Sequence, residues 1–325
     1  MNTVNPSNSR FWSKLGPRGA FGAALLEIAK ENKKIIAITA DLGITSGLER
    51  FKKDFPDRMI NIGIAETNMV GIASSFASEG FIPFATSFAN FSVLRACEAT
   101  RHFLGYMQSN VKLVGLSSGF AMGMFGNTHY GIEDIAIIRA IPGIIILSPA
   151  DSTEVVMAIE AASNYIGPVY IRLTGVMNNP IVYKEDYNFE IGKAITLEYG
   201  KDITIIGTGT MVYNSLQSSK ILTKRGISAT VIDMHTIKPL DSETIKYKAS
   251  SSKLIVSIEE HSIIGGLGGA IAEYLSSFHI HPPLLRLGIN DRFSHAGDYL
   301  YMLERNDLLP EQIAAVIEKK YLSLI

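Results

Sequence analysis

The apolar residues along the chain follow two alternating patterns. Short runs rich in β-branched residues, typical of buried strands, alternate with longer stretches in which apolar residues recur at helical spacing. In the first half this alternation predicts strands at 35–39, 59–62, 81–85, 111–116, 144–147 and 169–171 and helices at 18–31, 68–78, 132–139 and 152–163. Apolar strands that alternate with helices predict a parallel sheet covered on both faces.

The alternation lapses in a polar stretch around Pro180 and then restarts. Behind that stretch the pattern predicts strands at 203–206, 228–233 and 254–257 and helices at 212–224, 267–276 and 310–321. We therefore expect an α/β protein with two doubly wound domains in series, each with a mostly parallel sheet covered by helices. The expected divisions are a polar N-terminal arm at 1–15, a first domain at 16–177, a linker at 178–189 and a second domain at 190–325.

Length and charge agree with this division and exclude some partners. The 325 residues fit two domains of roughly 100–200 residues each. The 30 Lys and Arg and 31 Asp and Glu nearly cancel, so the chain lacks the basic surplus of a nucleic-acid-binding protein. Charged residues make up only 19%, which favours a surface that associates with other protein.

The first residues and the single cysteine give no indication of a secreted protein, a membrane protein or a cysteine-bound metal. The first fifteen residues contain no apolar segment of the kind that secretory signals carry, and no clean apolar run suits a membrane span. Cys97 is the only cysteine, and no cluster of His or carboxylate residues has metal-ligand spacing. We expect a cytoplasmic chain with no membrane contact and no metal site of its own.

Four side chains are candidates for chemistry, each with a structural alternative. Glu66 begins an apolar helix, where it either matches the helix dipole or acts as a partly buried acid in proton transfer. Phe88 and Phe91 are three residues apart and form either core packing or an aromatic platform. His129 lies in a glycine-rich loop, residues 119–131, at the sheet edge where ligands usually bind.

Eight short segments of the sequence resemble segments of a known family. They resemble, in order and spacing, the C-terminal half of transketolases, which holds the pyrimidine-binding domain and the domain after it. The matching segments are 40–42 (ADL), 63–73 (GIAETNMVGIA), 86–92 (TSFANFS), 126–136 (GNTHYGIEDIA), 148–154 (SPADSTE), 231–241 (VIDMHTIKPLD), 259–273 (EEHSIIGGLGGAIAE) and 288–297 (GINDRFSHAG). The resemblance implies transfer of a two-carbon ketol group from a ketose, expected as a phosphate, to an aldehyde with thiamine diphosphate.

The resemblance also implies roles for particular residues. Glu66 matches the glutamate that hydrogen-bonds the cofactor's aminopyrimidine and so promotes formation of its reactive ylid. Phe88 and Phe91 match aromatic residues of the pyrimidine pocket, and Asp41 and Leu42 match a nearby turn that contacts the cofactor.

Other matches lie on the substrate side. His129 matches a catalytic histidine that faces the donor's hydroxyl and carbonyl oxygens. Arg18 and Arg172 fall where the family places arginines that bind the sugar phosphate. Either Thr45 or Ser46, with Ser46 as the preferred candidate, falls at a serine that binds the phosphate.

One departure from the family concerns a whole domain. Transketolases carry an N-terminal diphosphate-binding domain with a GDG sequence and a downstream Asn, and this chain has no GDG. The resemblance therefore implies a second chain, the N-terminal transketolase subunit, which would hold the diphosphate and the Mg²⁺ or Ca²⁺. An α2β2 heterotetramer is implied, in which this chain also pairs with its own copy.

A second departure concerns the substrate. Phe125 stands where the family has an aspartate that reads a sugar hydroxyl, Ser117 replaces a family histidine, and Leu94 replaces an aromatic residue. Leaving a sugar hydroxyl unpaired there would cost roughly 1–3 kcal/mol. We expect a non-standard or modified sugar instead of the usual pentose phosphates.

Three other interpretations stay open. A β subunit of a 2-oxo acid dehydrogenase shares the same two domains, although THYGIED at 128–134 and TIKPLD at 236–241 favour transketolase. The synthase of deoxyxylulose phosphate normally carries all three domains on one chain, which fits less well. A non-catalytic scaffolding subunit is disfavoured because Glu66, Phe88, Phe91 and His129 are all present.

Overall fold

The computed structural model describes residues 4–324. Residues 1–3 of the expected arm and residue 325 of the expected second domain lie outside the described residues. The strands are β1 (Ile35–Thr39), β2 (Met59–Asn61), β3 (Ile82–Phe88), β4 (Lys112–Ser118), β5 (Ile145–Leu147), β6 (Val169–Thr174), β7 (Ile195–Glu198), β8 (Ile203–Gly207), β9 (Ala229–Asp233), β10 (Thr236–Lys238), β11 (Leu254–Ser262) and β12 (Leu284–Ile289).

The helices lie between and after these strands. They are α1 (Pro6–Glu31), α2 (Glu49–Asp54), α3 (Glu66–Ser78), α4 (Cys97–Ala99), α5 (Asp134–Ala140), α6 (Ser152–Asn164), α7 (Met211–Lys224), α8 (Ser242–Ala249), α9 (Leu267–Leu275), α10 (Tyr299–Arg305) and α11 (Pro310–Leu322). No helix within residues 4–324 has both the length and the apolar character that a membrane crossing requires.

The strands form two sheets, which confirms the predicted fold class. The first has seven strands in the order β10-β5-β6-β4-β3-β1-β2, and the second has five in the order β12-β11-β8-β9-β7. Within the first sheet only the β10–β5 pair is antiparallel, and within the second only the β7–β9 pair. The central parallel strands are almost wholly buried because helices cover both faces, whereas the edge strands β2 and β12 are partly exposed.

The two sheets are not built from separate halves of the chain, because strand β10 crosses between them. It comes from the second half of the chain but pairs with β5 of the first sheet, with Thr236 opposite Leu147. Lys238 at its end donates from Nζ to the carbonyl of Arg139 at 3.0 Å. The second half therefore supplies an edge strand to the first sheet and ties the two halves together.

The polar N-terminal segment, expected as an arm, is helical from Pro6. Asn5 caps α1 by accepting backbone hydrogen bonds from Ser7 and Asn8, and Trp12 is buried. The chain kinks at Gly16, whose φ is +72° and where a Cβ would lie 2.9 Å from Met177 Cα. Only glycine fits this close approach.

The segment after β3 adopts an unusual helical geometry. Two π-helical segments, Phe91–Arg95 and Thr100–Tyr106, flank the short α4. π-helical geometry is rare and is found frequently at functional sites. The first of these segments carries Phe91 and Arg95, both of which line the site described below.

Candidate active site

Glu66 lies at the first turn of α3, behind the carboxyl end of β2. Its side chain is buried, with 1% of its surface exposed. The Ser87 hydroxyl donates to Oε1 at 3.3 Å, and Arg95 Nη1 donates to Oε2 at 2.8 Å. The carboxylate is therefore held at a defined position, and Arg95, whose side chain is half exposed, closes one side of it.

An aromatic wall is formed by residues that the sequence analysis singled out. The ring centroids of Phe88 and Phe91 are 6.0 Å apart, and His129 lies 5.9 Å from Phe88 and 5.3 Å from Phe91. Phe125 lies 5.0 Å from His129 and is 62% exposed. The structure thus brings together the predicted aromatic pair, the predicted histidine and the phenyl ring of the glycine-rich loop.

The turn at Asp41 and Leu42 follows β1, which is the neighbour of both β2 and β3. Asp41 has a left-handed φ of +59°, and its backbone N–H and carboxylate are both hydrogen-bonded by Asn61, at 3.0 and 2.9 Å. The N–H of Leu42 donates to Thr39 Oγ1 at 3.1 Å. Because β1, β2 and β3 are parallel, this turn lies at the same sheet edge as Glu66 and Phe88.

Arg172 requires a correction to the prediction of phosphate binding. It is 1% exposed, and Nε donates to both carboxylate oxygens of Asp134 at 3.1 and 2.8 Å. Its Nη atoms donate to Thr174 Oγ1 and to the carbonyls of Gly131 and Glu260. The guanidinium is committed to a buried ion pair with Asp134, in contrast to the exposed position expected for a phosphate-binding arginine.

Ser46 also requires a correction. It is buried, and its hydroxyl donates to the carbonyl of Leu42 at 2.6 Å, so it stabilises the turn instead of facing a phosphate. Thr45, the other candidate, is partly exposed. Arg18 is partly buried at the N-terminal part of α1 behind the kink, and burial lowers its pKa.

Ser117 ends β4 just before the glycine-rich loop. It is buried and has a left-handed φ of +53°, a strained conformation for a residue with a side chain. The base of the loop is closed by hydrogen bonds in both directions between the backbones of Gly119 and Gly131, with Gly119 N 2.7 Å from Gly131 O. The loop therefore leaves the sheet edge at a sharp, fixed angle.

Two residues near the site were missed by the sequence analysis. Arg95 stacks its guanidinium 4.3 Å from the ring centroid of Phe91 while it binds Glu66. Glu260, from β11, accepts a hydrogen bond from the N–H of Phe120 in the loop at 2.6 Å. Two features of the sequence could have pointed to them. Arg95 is four residues after Phe91, a spacing that places two side chains on one helix face, and Glu260 is one of two consecutive glutamates in an otherwise apolar strand.

The pocket suits the pyrimidine end of thiamine diphosphate. A flat heterocycle with ring nitrogens needs aromatic faces to pack against and one carboxylate to accept its N–H, which Phe88, Phe91 and Glu66 offer. Within residues 4–324, no three His, Cys, Asp or Glu side chains are grouped so that they could hold a metal ion.

The fold and the site define the pyrimidine-binding half of a thiamine-dependent enzyme. Residues 13–176 match the transketolase pyrimidine-binding domain, and residues 192–308 match the transketolase C-terminal domain. The chain belongs to the transketolase family. This confirms the predicted family and its class as a transferase subunit.

Several relatives have the same extent as this chain. It is 41% identical to a putative transketolase C-terminal section of Methanocaldococcus jannaschii, over 92% of this chain and 94% of that protein. It is 38% identical to a 6-deoxy-6-sulfo-D-fructose transketolase subunit of Clostridium sp., over 91% of each. A solved split-gene transketolase, described as an inactive β4 tetramer, superposes with a TM-score of 0.84 at 38% identity over 95% of this chain and 98% of that one.

Proposed function

We propose that this chain is the pyrimidine-binding subunit of a two-chain, thiamine diphosphate-dependent transketolase. It would transfer a two-carbon ketol group from a ketose to an aldehyde. The observation that carries this proposal is the buried Glu66 carboxylate, held by Ser87 and Arg95 beside a wall of Phe88, Phe91 and His129.

The residues of the chain have separable tasks. Thiamine diphosphate, when bound, supplies the carbanion chemistry that breaks and remakes the bond beside a carbonyl. Glu66 accepts the hydrogen bond of a pyrimidine ring nitrogen and thereby holds a proton at that atom. Phe88 and Phe91 exclude water from it. His129, which the loop presents at the open side, hydrogen-bonds the substrate's oxygens and orients them.

The rest of the site belongs to a second chain in this proposal. The N-terminal transketolase subunit would bind the diphosphate and the Mg²⁺ or Ca²⁺, and two copies of each chain would form the tetramer. The support is that this chain matches proteins of its own length that are described as subunits or as a split-gene product. One of those is called inactive as a β4 tetramer, in line with a site completed by another chain.

The substrate is proposed to be a sugar other than the usual pentose phosphates. Phe125 lies 5.0 Å from His129, so an apolar ring stands where a polar partner for a hydroxyl would be needed. A relative of similar length is described as a 6-deoxy-6-sulfo-D-fructose transketolase subunit, and this name supports a modified sugar as the substrate of the present chain.

The experiment combines the chain with its partner, sought in the neighbouring reading frame as a chain with GDG and a downstream Asn. Ketose donors and aldehyde acceptors are screened by mass spectrometry for two-carbon transfer. Glu66→Ala should lower turnover by about 100-fold or more, since it removes the proton-holding group. Glu79→Ala, at the exposed end of the same helix, is the matched control and should keep wild-type turnover.

Two results would contradict the proposal. Turnover that survives Glu66→Ala unchanged would show that the carboxylate has no role. Ketol transfer by the purified chain without any partner would show that the site is complete in one chain.

A further inference from the structure

We propose that Glu260 is a positioning residue through which the second half of the chain fixes the glycine-rich loop, residues 119–131, and thereby sets substrate binding. This inference rests on the proposed function, because that function gives His129 and Phe125 of the loop their contact with substrate.

The Glu260 carboxylate joins three elements. Its Oε1 accepts from the N–H of Phe120 at 2.6 Å, at the start of the loop. Its Oε2 accepts from Thr210 Oγ1 at 2.7 Å and from the Tyr299 hydroxyl at 2.6 Å. Three donors to one buried carboxylate form a strong, well-oriented link, since charge-assisted hydrogen bonds are roughly twice as strong as neutral ones.

The other end of the loop is tied to the same residue. Arg172 Nη2 donates both to the carbonyl of Gly131, at 3.0 Å, and to the carbonyl of Glu260, at 2.8 Å. Phe120, the second residue of the loop, is therefore held by the Glu260 side chain, and Gly131, its last residue, is linked through Arg172 to the Glu260 backbone carbonyl.

Close packing shows that the loop is built around this carboxylate. A Cβ on Gly119 would lie 2.2 Å from Glu260 Oε1, and the φ of Gly119 is +66°. The middle of the loop is also held by the second half of the chain, because Gly297 N donates to the carbonyl of Gly123 at 3.1 Å. The Tyr130 hydroxyl donates to the same carbonyl at 2.9 Å.

The neighbouring Glu259 provides a matched control. Both glutamates are buried in β11 and face opposite sides of the strand. Glu259 accepts from the N–H groups of Leu267 and Gly268 at the start of α9, at 2.6 and 2.8 Å, and not from the loop. Removing either carboxylate leaves a cavity of similar size, but only the removal of the Glu260 carboxylate breaks a hydrogen bond to the loop.

The test measures amide hydrogen exchange across 119–131 in the full chain and steady-state kinetics of the complex with the partner subunit. Glu260→Ala should speed exchange in the loop about tenfold and raise KM for the sugar donor about tenfold, with kcat changed less. Glu260→Gln should restore both to within about twofold, since its amide oxygen accepts from Phe120 and its amide donates to the hydroxyls. Glu259→Ala should leave loop exchange and KM as in the wild type.

The inference is overturned if Glu260→Ala and Glu259→Ala give the same exchange and the same KM, or if the loop loosens while KM stays unchanged. If Glu260→Ala fails to fold, Tyr299→Phe decides. A rise in KM of about threefold supports the inference, and an unchanged KM overturns it. If the wild-type complex transfers no ketol group, the proposed function fails, whereas the exchange comparison still decides whether Glu260 holds the loop.

Discussion

A buried acidic cluster at the linker should make stability fall as the pH rises. Asp151, Glu154 and Asp233 are all buried where the linker crosses from the first half of the chain to the second. The Tyr183 hydroxyl donates to Asp233 Oδ2 at 2.7 Å, and the Tyr187 hydroxyl donates to Glu154 Oε1 at 2.9 Å. The two tyrosine rings stack with centroids 4.1 Å apart, so the linker is packed directly over the carboxyl groups.

Burial changes the protonation of this cluster. Burial raises the pKa of Glu154 well above its usual range, and the charge of Asp233 raises it further. Burial also raises the pKa of Asp233 from 3.8 to about 7. Asp233 Oδ1 has no donor unless Glu154 carries a proton, in which case the two carboxyls hydrogen-bond. The native structure thus favours a protonated Glu154 beside Asp233.

The sign and size of the effect follow from linkage. Because the folded pKa is raised, the stability from the protonated cluster is fully present below about 4 and is lost as the pH rises through about 7. One pKa unit corresponds to about 1.4 kcal/mol, so raising the pKa of Asp233 from 3.8 to about 7 bounds the loss at about 4 kcal/mol.

Glu154→Gln tests this directly. Asp233 is present in both proteins, so the difference between them comes from Glu154: in the wild type the unfolded Glu154 ionises as the pH rises while burial keeps the folded one protonated. The amide donates to Asp233 and cannot ionise, so the variant should match the wild type near pH 5 and exceed its free energy of unfolding by about 2 kcal/mol at pH 8. Urea denaturation at several pH values measures the difference between variant and wild type. This comparison cancels His235 and His261, whose pKa values burial lowers to about 4 and which act in the opposite sense.

The control is Glu160→Gln, which changes a partly exposed carboxylate on the same helix. Its difference from wild type should be constant with pH. The reasoning is refuted if the stability gained by Glu154→Gln does not grow between pH 5 and pH 8, or if the control grows equally.

Three further substitutions test the site. Arg95→Met should weaken the binding of thiamine diphosphate to the complex with the partner subunit about tenfold, because Glu66 loses its cation. Calorimetry measures the affinity, and an affinity equal to that of the wild type would show that the Arg95–Glu66 ion pair is dispensable. Phe125→Asp should raise kcat/KM for pentose phosphate donors about tenfold by restoring a hydroxyl partner, and no gain would remove this ring from specificity. Arg172→Met should lower the free energy of unfolding by about 3–5 kcal/mol because it leaves the Asp134 carboxylate buried without its cation. A higher KM for phosphorylated donors with an unchanged free energy of unfolding would instead indicate that Arg172 binds phosphate.

The parts of the site that could be predicted are those whose positions follow from the local sequence and the order of the strands. The run at 35–39 is strand β1 as predicted, because five consecutive buried apolar and β-branched residues suit a central parallel strand. Phe88 ends β3, and Glu66 and His129 follow β2 and β4; β4 is adjacent to β3, and only β1 lies between β3 and β2. Once the strands are known to be parallel, their carboxyl ends meet at one edge, and the residues behind them must converge.

The parts that could not be predicted depend on contacts distant in sequence. An arginine in an apolar strand is equally compatible with a ligand contact and with a buried ion pair, and Arg172 proves to be the second because Asp134 lies beside it. Nothing in the periodicity of β10 distinguishes a strand of its own domain from an edge strand of the other sheet. The same holds for Glu260, whose partner Phe120 is 140 residues away.

The contacts between the two halves bear on what the second half does. If it only covered the first, the contacts between them would be apolar and interchangeable. Instead β10 extends the first sheet, and Glu260 accepts from the start of the loop that carries His129. Arg172 of the first half joins the end of that loop, Gly131, to the Glu260 carbonyl. Polar contacts of this kind are costly to bury and are sensitive to geometry, so they specify one position of the loop. If the proposed function holds, the second half is therefore part of the substrate site, because it positions the loop even though the aromatic wall described above comes from the first half.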